Sequence, residues 1–216
     1  MGREYSALAG ALLLAVCGSA QAASLTVTVS DQDGRPVADA VVALVPQTKA
    51  SMPEASARLP MEKKIDQRNE TFIPLVTVVP KGGRVVFGNN DSTTHQVYSF
   101  SAVKQFEITL TRGQDSMPIG FDTAGIAALG CNIHDHMIAY VFVAESPWTA
   151  LSTANGRATV DLPPGNYQMQ VWHPKVSGGR PSPATPVVIN AQDATLPVTL
   201  RVTAPRPMAR SHSGGY

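Results

Sequence analysis

The fold turns on the stretch Gly130-Cys131-Asn132-Ile133-His134-Asp135-His136-Met137-Ile138-Ala139-Tyr140-Val141-Phe142-Val143. Its second half, from Met137 to Val143, is an apolar run of strand type. Its first half carries a thiol, an imidazole and a thioether on one short loop, at Cys131, His134 and Met137. Two residues separate each of these from the next. That gap lets a tight loop turn all three toward one point, and the strand that follows anchors the loop to a sheet.

Upstream, the chain reads as more short strands. Strand signals occur at Phe72–Val79, Arg84–Phe87, Gln96–Phe100 and Phe106–Leu110, separated by segments carrying Gly, Asn, Asp and Ser. Short strands at this spacing indicate a β-sandwich or barrel. Further out, Leu25–Val29 alternates strictly between apolar and polar residues, and Val37–Val45 is a second apolar strand. Arg157–Leu162, Asn166–Trp172, Pro186–Ile189 and Leu196–Val202 add four more after the loop. Residues 46–70 are polar, of mixed charge and punctuated by Pro46, Pro53 and Pro60. Within them, 47–64 is expected to be a surface connector, with one helical turn near Glu62-Lys63-Lys64.

Composition agrees with an all-β reading. Of 216 residues only 15% are charged, against about a quarter in ordinary soluble domains, and Gly and Pro contribute 17 each. The formal net charge of +1 gives no field that would recruit nucleic acid. The two cysteines, Cys17 and Cys131, allow one disulfide at most. Cys17 lies inside an expected secretion signal covering residues 1–22. Arg3 leads it, an apolar run covers Ala7 to Val16, and Ala20-Gln21-Ala22 forms the cleavage site. A lipoprotein signal ending at Cys17 is the weaker reading, because Val16 stands where a small residue is needed. After cleavage no membrane segment is expected, and Cys131 is left alone in an oxidising compartment. Metal ligation explains such a thiol, and a buried inert thiol is the plainer alternative.

The outer strands resemble a known module. Val29-Ser-Asp-Gln-Asp-Gly34-Arg-Pro-Val-Ala-Asp-Ala-Val-Val42 is similar to the opening of a carboxypeptidase-regulatory or transthyretin-like β-sandwich. Thr153-Ala-Asn-Gly156-Arg-Ala-Thr-Val-Asp-Leu-Pro-Pro-Gly165-Asn-Tyr167 is similar to its continuation. The resemblance implies a sandwich split into 23–46 and 145–203, with residues 65–144 inserted as a separate β domain. The tail, 204–216, is polar and is expected to be flexible.

Of the five histidines, His95, His134, His136, His173 and His212, two lie within five residues of Cys131. His95 follows Gly88-Asn-Asn-Asp-Ser-Thr-Thr94 at the start of a strand, where a further ligand would have to originate. Two imidazoles and a thiolate with a weak axial thioether form the ligand set of a blue-copper electron-transfer site. Here residues 65–144 resemble the cupredoxins, and the amicyanin-type members in particular through the Cys-x₂-His-x₂-Met loop. Proteins of this type are often labelled methylamine utilisation proteins. The resemblance implies a cupredoxin-like Greek-key sandwich that binds one copper ion per chain. It makes His95 and His134 imidazole ligands, Cys131 the thiolate and Met137 the axial ligand, with Asn90, Gln96 and Asn132 packed behind them. Two departures stand out. Gln96 occupies a place where many cupredoxins have Asn. His136 lies between His134 and Met137, as an alternative ligand, an exposed edge for electron exchange or a solvated loop residue.

The implied function is a periplasmic one-electron carrier that docks transiently on redox protein partners. A copper-delivery protein using the same ligands, and a module held by structural zinc, are the competing readings. Thioether is a poor zinc partner. Enzyme chemistry is disfavoured by counting. There is a single His-x-His pair, no second loop cysteine for a binuclear copper centre, no phosphate loop and no G-x-S-x-G elbow. Trp172 is expected in the core and His173 at the surface. Tyr98 and Phe100 are expected to pack on the face opposite Val97 and Ser99.

Overall fold

The structure, a computed structural model, describes residues 22–48, 52–54, 57–176 and 179–203. The expected signal, but for residue 22, and the whole expected tail lie outside the described residues. The described chain is all-β, without an α-helix. β1 (Ala23–Asp31) and β2 (Val41–Pro46) come first. Then follow β3 (Glu62–Gln67), β4 (Phe72–Ile73), β5 (Val76–Pro80), β6 (Gly83–Phe87) and β7 (His95–Ser101). β8 (Lys104–Leu110), β9 (Ile119–Phe121), β10 (Gly125–Cys131) and β11 (Ile138–Ala144) complete the middle of the chain. β12 (Thr149–Leu151), β13 (Arg157–Leu162), β14 (Gly165–Trp172), β15 (Thr185–Ile189) and β16 (Ala194–Leu200) end it.

These strands form four sheets. The early and late strands make β13-β1-β16 and β12-β2-β14-β15, and the middle strands make β5-β11-β10-β7-β8 and β4-β3-β6-β9. β1 shows why local pattern suffices here. Leu25, Val27 and Val29 are buried while Thr26 and Thr28 are half-buried, the period-2 signature of a strand with one buried face. Its partner β13 alternates likewise, and the register sets Leu25 opposite Val160 and Val27 opposite Ala158. One core gathers Leu25, Val27, Val42, Leu44, Trp148, Leu162 and Val171. A second gathers Ile65, Phe87, Val97, Leu110, Phe121, Leu129 and Val141, together with Cys131 and Met137.

A third cluster joins the two. Val41 and Trp172 from the outer strands meet Val76, Val78 and Ala144, with Tyr140 and Phe142 alongside. The Trp172 ring lies 5.5 Å from that of Tyr140 and 6.0 Å from that of Phe142. β2 and β5 are therefore buried on both faces at this contact. The apolar run Val41–Leu44, and Val76–Pro80 with Thr77 as its one polar residue, follow from that two-sided burial.

Four strands depart from the sequence reading. The segment expected to hold a helical turn, Glu62-Lys63-Lys64, opens β3, which runs parallel to β6 with Glu62 opposite Arg84 and Ile65 opposite Phe87. Its charges point to solvent, and Glu62–Arg84 (3.5 Å) and Lys64–Asp115 (2.7 Å) pair there. Only the distant partner strand reveals it as a strand. β9, β10 and β12 were not expected either, because β9 and β12 are three residues long and β10 is rich in Gly and Ala, with low strand propensity. The expected strand Phe72–Val79 is divided into β4 and β5 around Pro74, which has no N–H for a ladder.

Candidate metal centre

The register of β7, β10 and β11 brings the chemistry together. Cys131 ends β10 opposite Val97 of β7, and Gly130 lies opposite Tyr98. His95, two residues before Val97, therefore faces inward on the same side as Cys131, and both are buried. β11 pairs antiparallel with β10, Ile138 opposite Gly130, so the loop 132–137 must return at once. The Met137 N–H donates to the His134 carbonyl at 3.0 Å and closes that turn.

Cys131 Sγ lies 3.6 Å from His95 Nδ1 and 4.0 Å from His134 Nδ1. The three ligand atoms lie within 4.8 Å of one another. A metal bonded at about 2.3 Å to sulfur and about 2.0 Å to nitrogen, at tetrahedral to trigonal angles, sets the two ligand atoms roughly 3.5–3.7 Å apart. The 3.6 Å spacing matches this and the 4.0 Å spacing is a few tenths wider, so an ion fits between the ligand atoms. The set of one thiol and two imidazoles suits a soft to borderline transition metal. Cys131 is a free thiol in this site.

Met137 is buried with Cys131 in the same core and lines the same shallow groove. His136 is not brought into the cluster. Its side chain is more than half exposed, and its Nε2 faces Glu70 Oε2 at 3.6 Å. Gln96 accepts from Asn132 Nδ2 at 2.7 Å, while its own amide donates to Glu107. It thereby clamps the residue after the thiol to β7. Asn90 donates to both carboxylate oxygens of Asp66, at 2.7 and 2.8 Å, and ties the loop before His95 to β3.

Two residues that sequence reasoning passed over touch the cluster directly. Asp91 Oδ2 lies 2.8 Å from His95 Nε2. The same carboxylate accepts the backbone N–H of Glu70 at 2.9 Å and that of Asn69. Burial works to raise the Asp91 carboxyl. Hydrogen bonds from the Glu70 N–H, His95 and the Asn69 N–H outweigh it and hold the group below the ordinary carboxylate value. Glu70 Oε1 faces His134 Nε2 at 3.5 Å. Asn89, fully buried, builds the loop that carries Asp91. Its amide donates to the carbonyls of Thr93 (2.9 Å) and Leu110 (2.8 Å), and its oxygen accepts the Asp91 N–H at 2.9 Å. An Asp four residues before a candidate ligand His was the available signal.

Tyr98 and Phe100 share the outward face of β7, their rings 4.9 Å apart. Tyr98 lies over Gly130, where a Cβ would come within 2.6 Å of Tyr98 Cζ. His173, expected at the surface, is buried, and its Nδ1 accepts the Lys175 N–H at 3.2 Å. A cleft of about 630 Å³ opens between β15 and β16 and is lined by apolar and hydroxyl side chains without a titratable group.

No family model matches the chain, and no curated protein does. Among solved structures, a purple cupredoxin from Nitrosopumilus maritimus is 21% identical over 38% of this chain and 98% of its own, with a TM-score of 0.34. Amicyanin from Paracoccus versutus is 16% identical over 47% and 97%, with a TM-score of 0.35. A copper-containing nitrite reductase from Thermus scotoductus is 21% identical over 55% of this chain and 28% of its own, with a TM-score of 0.36. No helix among the described residues is long and apolar enough to cross a membrane.

Proposed function

We propose that the protein is a type 1 copper protein working as a one-electron carrier, secreted to the periplasm by its N-terminal signal, and not an enzyme. The observation that carries this reading is the buried thiol of Cys131 between two imidazole Nδ1 atoms, at 3.6 and 4.0 Å. His95, Cys131 and His134 would hold the ion, with the Met137 thioether on the same loop as a further donor. Bound there, copper supplies a one-electron couple. The sheet holds His95 and Cys131 fixed, and the Gln96–Asn132 clamp steadies the loop. Little rearrangement is then needed on gain or loss of an electron. Residues 65–144 are taken as a cupredoxin-like unit inserted in a split sandwich of 23–46 and 145–203. The pairing of β1 with β13 and β16, and of β2 with β12 and β14, supports that division.

Oxidised, copper-loaded protein is expected to be intensely coloured and to give a narrow copper hyperfine splitting in electron spin resonance. Cys131→Ser should abolish both. A colourless Cu(II) form, or colour that survives the substitution, would overturn the reading. Retention of copper through repeated redox cycles against a mild chelator separates a carrier from a delivery protein.

A further inference from the structure

The β3–β4 connection is a two-residue turn. Arg68 and Thr71 exchange backbone hydrogen bonds at 3.0 and 3.1 Å, and Asn69 and Glu70 between them both have positive φ, 51° and 52°. Turns of this kind favour Asn-Gly. A Glu at the second position is conformationally costly, and such an outlier directs attention to what the residue does. The backbone of the turn presents two successive N–H groups to one anion, the Asp91 carboxylate. Asp91 then meets Nε2 of His95. The side chain of Glu70 leaves the same turn in the other direction and meets Nε2 of His134.

Both imidazoles of the cluster thus have Nδ1 toward the Cys131 sulfur and Nε2 toward a carboxylate. An ionised carboxylate only accepts, so the His95 nitrogen 2.8 Å from Asp91 must carry the proton. The lone pair of His95 is then on Nδ1, facing the sulfur. We infer that Asp91 and Glu70 are positioning residues for the candidate metal ligands, and that the Asn69–Glu70 turn sets both at once. Asp91 fixes the His95 tautomer through its hydrogen bond, Glu70 acts on His134 through its charge at 3.5 Å, and each makes its imidazole a stronger donor, which favours the more highly charged metal state. The two are unequal. The Asp91 side chain is 10% exposed, whereas that of Glu70 is 51% exposed and screened by salt. This inference rests on the copper reading proposed above.

The test uses the full chain and copper itself as the probe, with Cu(II) and Cu(I) affinities measured by chelator competition. Asp91→Asn should weaken Cu(II) binding roughly 10–100-fold and Cu(I) binding less. A tenfold difference between the two equals a rise of about 59 mV in reduction potential. Glu70→Gln should act in the same direction but more weakly, and its effect should fade between about 0.01 and 1 M salt as screening grows. That of Asp91→Asn should persist. A second readout needs neither a variant nor a metal. Long-range ¹H–¹⁵N spectra of the metal-free protein should show His95 protonated on Nε2. A folded Asp91→Asn variant with Cu(II) and Cu(I) affinities in the parental ratio would overturn the inference. So would a metal-free parent with the proton on Nδ1, whether or not the variant folds. Colourless Cu(II) protein would count against the blue-copper reading alone, because the tautomer measurement does not depend on it.

Discussion

Replacing Glu70 by Gly and by Ala separates backbone cost from side-chain gain in the turn beneath the site. At φ 52° a residue with a Cβ is disfavoured by about 1–2 kcal/mol. Gly escapes that penalty but loses about 0.5–1 kcal/mol through its freer unfolded chain. Both variants lose the same side-chain contacts, at 3.5 and 3.6 Å to His134 and His136. Half-exposed pairs of this sort contribute about 0–1 kcal/mol. Both keep the backbone N–H that Asp91 accepts. The difference between them therefore isolates the backbone, and at the middle of both ranges Gly should exceed Ala by about 0.8 kcal/mol. For a chain of this size, 1 kcal/mol corresponds to about 2–4 °C in Tm. Against the parent, Glu70→Gly should be equal or slightly more stable, and Glu70→Ala equal or slightly less. Thermal unfolding of the metal-free proteins by circular dichroism, at matched pH and salt, reads this directly. An Ala variant as stable as the Gly variant would refute the argument, because the turn could not then be held in the left-handed region.

Three further outcomes are expected. Trp172→Ala empties the contact with Tyr140 and Phe142 and should cost about 3–5 kcal/mol, with calorimetry resolving separate transitions for the two halves; a single transition at the parental Tm would show that the cluster does not couple them. His173 is held below the ordinary histidine value by burial and then by the Lys175 charge, and its Nδ1 accepts the Lys175 N–H at 3.2 Å. The unfolded chain then binds the extra proton first, so this group's contribution is full above about pH 6.5 and is lost as pH falls below it. His173→Gln should flatten that part of a stability–pH curve, and an unchanged slope would remove His173 as its source. Gly130→Ala drives a methyl into the Tyr98 ring and should cost about 1–3 kcal/mol in urea unfolding. Tyr98→Ser should relieve much of that cost in the double variant, whereas strictly additive losses would show that the ring is not the obstacle.

The outer strands were legible because one face is wet. β1 and β13 alternate apolar and polar residues, and that pattern survives without knowledge of any partner. β3 and β10 were not legible. The exposed half of β3 is Glu62-Lys63-Lys64, and β10 carries Gly125, Ala127, Ala128 and Gly130, so neither shows strand character until β6, β7 or β11 is in place. The small residues of β10 have their own reason, since Tyr98 occupies the space above Gly130. His173 misled for the opposite cause. A polar residue next to Pro174 reads as surface, whereas in the fold it is buried within reach of the Asp39 charge from far earlier in the chain.

At the site the same division holds. Sequence alone nominated Cys131, His134 and Met137 as candidate donors, because they are neighbours in the chain and their spacing suits a short loop. It also nominated His95, since a lone His at a strand start is a local feature. Only the tertiary structure decided that His95 and His134 face the sulfur through Nδ1. Strand register, a long-range property, set the first, and the return of the loop set the second. It alone placed the Asp91 and Glu70 carboxylates opposite the two Nε2 atoms. Asp91 is near His95 in sequence, but its carboxylate is aimed by the N–H groups of a turn from another hairpin. Glu70 reaches His134 across the fold. Candidate donors are nominated by residue type and spacing, whereas the orientation of their rings depends on hydrogen bonds between segments that meet only when the sheets are packed.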